Sequence, residues 1–153
     1  MLNITILAVG KIKEKHFLVA FTEYLKRLKP YAKCIVEEVK AESFDDANRL
    51  NAKRKEGERI TNYLKKFPDS RVLLLDEKGE EHTSEKFAQS LEKINGHIIF
   101  VIGGSLGFDF KILDGFSRLS LSRLTMPHEL ARVVLIEQIY RATTIIKNKE
   151  YHH

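Results

Sequence analysis

A histidine and an arginine stand four residues apart in the last quarter of the sequence, at His128 and Arg132. On a helix this spacing places both side chains on one face about one turn apart, where they could meet the same ligand. A helix N-terminus disfavours a cationic imidazole, so we expect His128 to serve as a neutral donor or base. The alternative is structural, with His128 capping the helix and Arg132 on the surface.

A glycine pair follows a strongly apolar segment. Gly103 and Gly104 come directly after residues 97–102, a segment typical of a buried strand. Ligands of open α/β sheets collect at the carboxyl ends of strands, and glycine lets the backbone come close to a ligand there. With Gly107 the pair matches neither the dinucleotide-binding motif nor the P-loop, which argues against nicotinamide and nucleoside triphosphate sites. A tight turn without a ligand is the alternative.

The C-terminal Tyr151 and His152 combine an aromatic ring, which can stack on a base, with an imidazole that can form hydrogen bonds. Terminal segments are commonly disordered, which is the alternative. The remaining internal histidines have no partner at metal-ligand spacing, and we expect no metal site. These histidines are His16, His82 and His97.

The composition is basic, with 26 lysines and arginines against 21 acids and a formal charge of +5. Positive charge attracts phosphate backbones without specifying which ones. The cluster at 53–55, Lys-Arg-Lys, could touch RNA, although the solvated face of a helix is the favoured interpretation. Glu137 and Arg141 have the spacing of a structural ion pair on a helix.

The hydrophobic pattern predicts the framework for these residues. Apolar runs predict strands at 4–9, 34–39, 71–75, 97–102 and 119–122, with helices at 17–28, at 45–66, from Ser84 onward and from Pro127 onward. Residues 76–79 are predicted to form a turn, Ser84 to cap its helix, and Pro127 to take the first helical position. Strands that are apolar throughout indicate a mostly parallel sheet covered by helices on both faces.

The chain is expected to form one α/β domain over residues 1–153, because its length suits one compact core. The last helix carries too many apolar residues for one side, so it is either deeply buried or part of a partner interface. Cys34 is the only cysteine and is expected in the core. No apolar run approaches the roughly 20 residues of a membrane span, and the N-terminus lacks a signal pattern. We expect a cytoplasmic protein that does not enter membranes.

Three stretches of the chain carry a family resemblance. They are ITILAVGK at 4–11, FVIGGS at 100–105 and LSRLTMPH at 121–128, the last accompanied by Arg132, the run 140–142 and the ending Tyr151-His152. Together they resemble the ribosomal RNA large-subunit methyltransferase H family, which belongs to the SPOUT class of knotted methyltransferases. The resemblance covers nearly the whole chain and is strongest over residues 97–152.

This resemblance implies a trefoil knot within about residues 71–150, although chains in general avoid threading. It also implies that S-adenosylmethionine, the methyl donor, lies in the knot and is held by backbone groups of three loops. The matching positions are Leu75, Gly103 and the run Leu121, Ser122, Arg123, Leu124, Thr125 and Met126. Small and apolar side chains there suit a pocket that holds a purine.

The resemblance further implies a homodimer, which would cover the apolar surface of the last helix. The implied reaction is methylation at N3 of a pseudouridine of 23S ribosomal RNA, within the large subunit or the assembled ribosome. His128 and His152 are then candidates for the base or an orienting donor. Arg132 would stabilise the developing imide anion or a phosphate, and Tyr151 would stack on or position the base.

Two other functions compete with this hypothesis. A non-catalytic ribosome- or RNA-binding module would use the positive charge and the tail only to hold RNA, and it would not bind S-adenosylmethionine. A small nucleotide-binding enzyme of flavodoxin-like topology would instead bind a flavin or nucleotide tightly.

Overall fold

Five parallel strands form one sheet in the computed structural model, which describes all 153 residues. The elements are β1 (Leu2–Val9), α1 (Lys15–Leu28), β2 (Ala32–Val39), α2 (Arg49–Leu64), β3 (Arg71–Glu81), α3 (Ser84–Glu92), β4 (His97–Ile102), β5 (Ser117–Ser120) and α4 (His128–Ile146). The strand order is β2-β1-β4-β3-β5, and every neighbouring pair is parallel. The predicted fold class, a parallel sheet flanked by helices, is confirmed. The trefoil knot stays a prediction.

The sheet is covered on both faces, which explains why its central strands are apolar throughout. Alternate residues of β1 and β4 point to opposite faces, as in any strand. One face packs against α1, α3 and α4, and we call this cluster the first core. The other face packs against α2 and the segment 106–116, and this cluster is the second core. Cys34 is half-buried at the edge of the first core, and burial raises the pKa of its thiol to about 12.

Helix α4 packs along α1 and α3 within the chain. Its residues Leu135, Ile136, Ile139 and Ala142 are buried in the first core. Deep burial therefore accounts for much of the apolar surface that the sequence assigned to either the core or a partner. None of the helices combines the length and the hydrophobicity that a membrane-spanning segment requires.

Residues 76–79 do not form the simple turn predicted after the third strand. Strand β3 continues to Glu81, and both Leu75 and Glu80 are in register with Leu119 of β5. The intervening residues therefore bulge out of the ladder between two paired segments of one strand. Strand β5 occupies 117–120, so residues 121 and 122 follow it instead of ending it as predicted.

Two predicted helix starts differ by one residue. Thr83, and not Ser84, caps α3, because its hydroxyl accepts a hydrogen bond from the Lys86 amide at 3.1 Å. Ser84 instead donates to Gln138 of α4 at 3.1 Å. Pro127 occupies the N-cap of α4 with a ψ of 141°, one position before the predicted one.

Candidate functional site

A cleft of about 120 Å³ opens where β3 and β5 end and α4 begins. Apolar side chains form much of its wall, together with two hydroxyls and two carboxylates. Its lining is Leu75, Asp76, Glu77, Leu121, Ser122, Leu124, Thr125, Met126 and Ala131. The structure thus brings Leu75 together with five of the six residues predicted in the run 121–126. Arg123 is the exception, because its side chain is exposed and does not line the cleft.

The bulge of β3 holds the segment 121–126 in place. The Thr125 hydroxyl donates to the Glu77 carboxylate at 2.5 Å, and Arg123 donates to the Glu77 carbonyl oxygen at 2.6 Å. Arg123 also pairs with the Glu81 carboxylate at 2.5 Å. Both arginine contacts are solvent-exposed and therefore individually weak. Together they fasten one wall of the cleft to the other.

Gly79 makes this bulge possible because the chain passes close to β5 there. A Cβ atom at this position would lie 2.7 Å from the Arg118 carbonyl carbon and 2.8 Å from the Leu119 nitrogen. No side chain fits at such distances from backbone atoms. The sequence placed Gly79 in an ordinary turn, and nothing in its neighbours signals the close approach.

The glycine pair after β4 lies at the same edge of the sheet but outside the cleft lining. Gly103 packs beside Phe108, with 3.4 Å between a hypothetical Cβ and the ring. Gly104 lies against Val9, and the Glu56 carboxylate is 3.6 Å from where its Cβ would be. The structure therefore does not bring Gly103 into direct contact with the cleft formed by Leu75 and 121–126.

Glu56 is a residue of this edge that the sequence did not single out. It is only 4% exposed, and one carboxylate oxygen accepts from the Glu42 amide at 2.9 Å while the other, Oε1, has no partner. Burial raises the pKa of this carboxyl group. Its charged neighbours on α2 made it look like part of a solvated helix face.

Arg132 is the largest fully buried side chain of the protein, with 1% exposure. Its guanidinium donates to the Glu38 carboxylate at 2.7 Å and to the Gly10 carbonyl at 2.5 Å, and it lies 3.5 Å from the Val9 carbonyl. The remaining donor, Nε, has no partner. The structural alternative of a surface arginine was wrong, because the charge is paired where β1 and β2 end.

His128 begins α4 beside this arginine. It is half-buried, and its buried Nδ1 has no hydrogen-bond partner. Burial lowers the pKa of the imidazole, with the nearby Arg132 and Lys13 charges acting in the same direction and Glu129 opposing them. A lowered pKa favours the neutral ring at neutral pH, and the first cause is burial, whereas the sequence suggested the helix N-terminus. The N-cap is Pro127 and no side-chain cap is present, so His128 does not serve as a capping residue.

The C-terminal tail folds back onto the middle of α4. The Tyr151 hydroxyl donates to the Glu137 carboxylate at 3.1 Å, and its ring meets that of Tyr140 edge-on at 4.8 Å. Burial, followed by the hydrogen bonds with Tyr24 and Glu137, raises the pKa of Tyr151. His152 lies 2.8 Å from the Glu85 carboxylate and 3.2 Å from Arg141. The tail is ordered against the protein, so the alternative of a disordered ending was wrong.

The predicted pair of Glu137 and Arg141 is present at 2.5 Å, and the Arg141 guanidinium lies over the Tyr151 ring at 4.9 Å. This cluster is roughly 14 Å along the helix from His128, at 1.5 Å per residue. One chain therefore holds two groups of predicted site residues apart, with His128 and Arg132 in one and Tyr151 and His152 in the other. No cluster of three or more metal-ligating side chains is present.

Comparison with known protein families and sequences finds full-length similarity. Residues 2–152 match a family described as "Predicted SPOUT methyltransferase". A protein of Ruminiclostridium cellulolyticum is 47% identical over 162 residues, covering 99% of each chain. One from Carboxydothermus hydrogenoformans is 44% identical over 160 residues, with the same coverage. Both are named ribosomal RNA large subunit methyltransferase H.

Solved structures share the fold at much lower identity. A probable methylase family protein from Haemophilus influenzae has a TM-score of 0.55 and 12% identity, covering 99% of this chain and 70% of its own. A second structure, described as giving insight into 2-OH methylation of C/U34 on tRNA, has a TM-score of 0.53 and 13% identity, covering 96% of this chain and 98% of its own. At this identity the likeness concerns the fold alone.

Proposed function

The chain belongs to the SPOUT methyltransferase family, among the members named ribosomal RNA large subunit methyltransferase H, and on this basis we propose that it transfers a methyl group from S-adenosylmethionine to N3 of a pseudouridine in 23S ribosomal RNA. The substrate would be the large subunit or the assembled ribosome, in the cytoplasm. The fold supports this proposal, and so does the cleft at the carboxyl ends of the parallel strands, which we call the carboxyl edge of the sheet.

The observation that carries the proposal is the cleft formed by Leu75 and the segment 121–126. It lies where parallel strands end, which is where α/β sheets bind ligands. Leucine and methionine side chains suit the apolar faces of a purine, and the Asp76 and Glu77 carboxylates suit a cationic ligand. The residue types therefore fit S-adenosylmethionine, which would supply an electrophilic methyl group on a positively charged sulfur.

The cleft must widen to hold such a ligand. Sites for ligands of this size usually measure about 300–1,000 Å³, whereas this cleft measures about 120 Å³. Leu124 is 78% exposed, and the contacts of Arg123 and Thr125 with the bulge lie at the surface. We propose that these surface contacts break and the segment 121–126 moves outward. The bulge of β3 stays in place, because Gly79 packs it closely against β5.

His128 is our candidate for the group that receives or orients the N3 proton. Its lowered pKa favours the neutral ring, and its Nδ1 has no partner within the chain and can therefore form a hydrogen bond to a ligand. Arg132 is expected to act near the developing anion through its charge. Because its guanidinium already binds Glu38 and the Gly10 carbonyl, we propose that it also fixes the chain around Gly10.

We propose that two chains form a homodimer. Within one chain, Tyr151 and His152 lie far along α4 from His128, so they can serve the same reaction only if a second copy supplies one of the two groups. Tyr151 would then position the RNA base, and His152 would be a second candidate for the proton-accepting group. Cross-complementation between an inactive His128→Ala chain and an inactive His152→Ala chain tests this arrangement.

The function is tested by incubating the protein with labelled S-adenosylmethionine and ribosomes that lack the modification, with free 23S ribosomal RNA as control. We expect label on a large-subunit pseudouridine, located by mass spectrometry. Cofactor binding without label would redirect the proposal to another RNA. Absence of cofactor binding would refute the enzyme and favour an RNA-binding module.

A variant that fills the cleft links this activity to the proposed site. Ala131→Phe should abolish S-adenosylmethionine binding, because the ring occupies most of about 120 Å³. Ala47→Phe, in an exposed segment before α2, is the matched control and should bind normally. Equal binding by both variants would place the cofactor elsewhere.

A further inference from the structure

The connection between β1 and α1, together with the first residue of α1, carries three lysines beside the candidate site. In this segment, residues 10–15, the side chains of Lys11, Lys13 and Lys15 are exposed, whereas Ile12 packs against the first core. The three ammonium groups therefore face the solvent, while the side chain of Ile12 anchors the backbone to the core. We call residues 10–15 the lysine loop.

Two residues of α4 anchor the lysine loop from the other side. The Glu129 carboxylate accepts hydrogen bonds from the amides of Lys13 and Glu14, at 2.7 and 3.0 Å. These bonds lower the pKa of Glu129, so it is ionised and accepts both bonds at neutral pH. One turn further along α4, Arg132 binds the Gly10 carbonyl at 2.5 Å. The loop is therefore held at both ends by the helix that presents His128.

The positive charge of the loop is not neutralised within the chain. None of its three lysines takes part in an ion pair. Of the acids nearby, Glu129 is occupied by backbone amides and Glu38 by Arg132. Glu14, which lies within the loop, is exposed and forms no ion pair. Exposed lysines held in fixed backbone positions without partners fit a polyanion.

We propose that Lys11, Lys13 and Lys15 bind backbone phosphates of the RNA substrate next to the nucleotide presented to His128. Glu129 and Arg132 act as positioning residues that hold the lysine loop in register with the site. This inference rests on the proposed function for the identity of the RNA. It adds the surface by which that RNA is held.

The expected change in RNA affinity and in its salt dependence follows from counterion release. Each phosphate contact changes the slope of log K against log salt by about 0.7 for single-stranded and 0.9 for duplex nucleic acid. Removing three contacts should therefore flatten the slope by about two to three units. The affinity at low salt should fall by about tenfold or more.

The test compares Lys11→Ala/Lys13→Ala/Lys15→Ala with a charge-matched control, Lys29→Ala/Lys65→Ala/Lys93→Ala. The control lysines are exposed and form no ion pair, and they follow the ends of α1, α2 and α3, at the opposite edge of the sheet. Binding to unmodified ribosomes is measured between 50 and 200 mM salt, roughly the range over which phosphate contacts are lost. The loop variant should lose affinity and slope, and the control should stay within about twofold of the parent.

The anchor is tested with Glu129→Ala and the conservative Glu129→Gln, whose amide oxygen can still accept from the loop. We expect the alanine variant to raise KM for ribosomes severalfold with little change in kcat, and the glutamine variant to restore most of the loss. Equal loss of ribosome affinity in the loop variant and the lysine control, or an unchanged salt slope, would overturn the inference. Salt-dependent ribosome binding by the parent without methyl transfer would refute only the proposed function, because the binding assay still tests the loop.

Discussion

Two half-buried histidines, one at each end of the strands, differ in the hydrogen bonds that their rings form. His97 begins β4, and its ring nitrogens lie 2.8 Å from the Thr5 hydroxyl and 2.7 Å from the Ser70 hydroxyl. The Phe67 ring meets it edge-on at 5.2 Å. His128, beyond the carboxyl ends of the strands, has a buried ring nitrogen with no partner at all. Burial lowers the pKa of both imidazoles.

The difference between them lies in hydrogen bonding and not in pKa. A buried polar group with all partners supplied by the protein stabilises one structure. A buried polar group without a partner costs free energy and is retained mainly where a ligand or a reaction uses it. Two more unpartnered atoms, Glu56 Oε1 and Arg132 Nε, lie near the ends of β1 and β4, whereas a fourth, His82 Nδ1, follows β3. The carboxyl ends of β1 and β4 and the start of α4 thus hold three of the four buried unpartnered groups.

The largest expected effect follows from replacing the unpartnered histidine. His128→Ala should lower kcat for methyl transfer by about 100-fold or more, the usual cost of losing a general base. The free energy of unfolding should change little, because the His128 ring forms no hydrogen bond that the substitution would remove. Single-turnover methyl transfer to unmodified ribosomes measures this effect.

His97→Ala is the matched control at the other edge. It leaves two hydroxyls without their shared partner and should lower the free energy of unfolding by about 1–3 kcal/mol. Its kcat should remain within about twofold of the parent. Loss of activity in a folded His97→Ala protein, or full activity in His128→Ala, would erase the contrast between the two edges.

A second contrast concerns two glycines. Gly79→Ala forces a Cβ to within 3.0 Å of the backbone of β5 and should destabilise the protein by about 2–3 kcal/mol while disturbing the cofactor cleft. Gly57→Ala, inside α2, meets only side-chain atoms at 3.5 Å or more. It should stabilise the protein by about 0.5–1 kcal/mol through helix propensity. Urea denaturation of the two variants tests the pair, and similar changes of one sign would show that the bulge can shift.

The pH dependence of methyl transfer should report the state of His128. Because burial lowers its pKa below 6.5, the ring stays neutral down to mildly acidic pH. Activity should then fall by about tenfold per pH unit at lower pH, once the ring is protonated. If the midpoint of this loss of activity lies above pH 6.5, the Glu129 charge raises the His128 pKa by more than burial and the Lys13 and Arg132 charges lower it. The residual activity of His128→Ala should lack this limb.

The sequence predicted most of the architecture because buried strands and helix faces show regular patterns of apolar residues. Continuous apolar runs located the central strands, and the recognised motifs led to Leu75 and the segment 121–126 as parts of one site. Position along the chain could not show that Arg132 is buried, because its partners Glu38 and Gly10 are distant in sequence. Gly79 was misjudged for the same reason. Its constraint comes from the backbone of a strand that follows almost forty residues later.

A small effect at Glu56 distinguishes the energetic cost of its buried carboxylate from a use of that carboxylate in function. Burial raises the pKa of Glu56, so between the unfolded and folded pKa values the folded protein binds more protons than the unfolded chain, and stability falls as pH rises through that window. Glu56→Gln removes this dependence and keeps an acceptor for the Glu42 amide. The variant should match the parent near pH 4 and exceed its free energy of unfolding by about 1 kcal/mol at pH 8. Urea denaturation at both pH values measures this. A gain in stability with lost methyl transfer would show that the unpartnered carboxylate is retained for function, whereas a gain with full activity would assign it to packing beside Gly104.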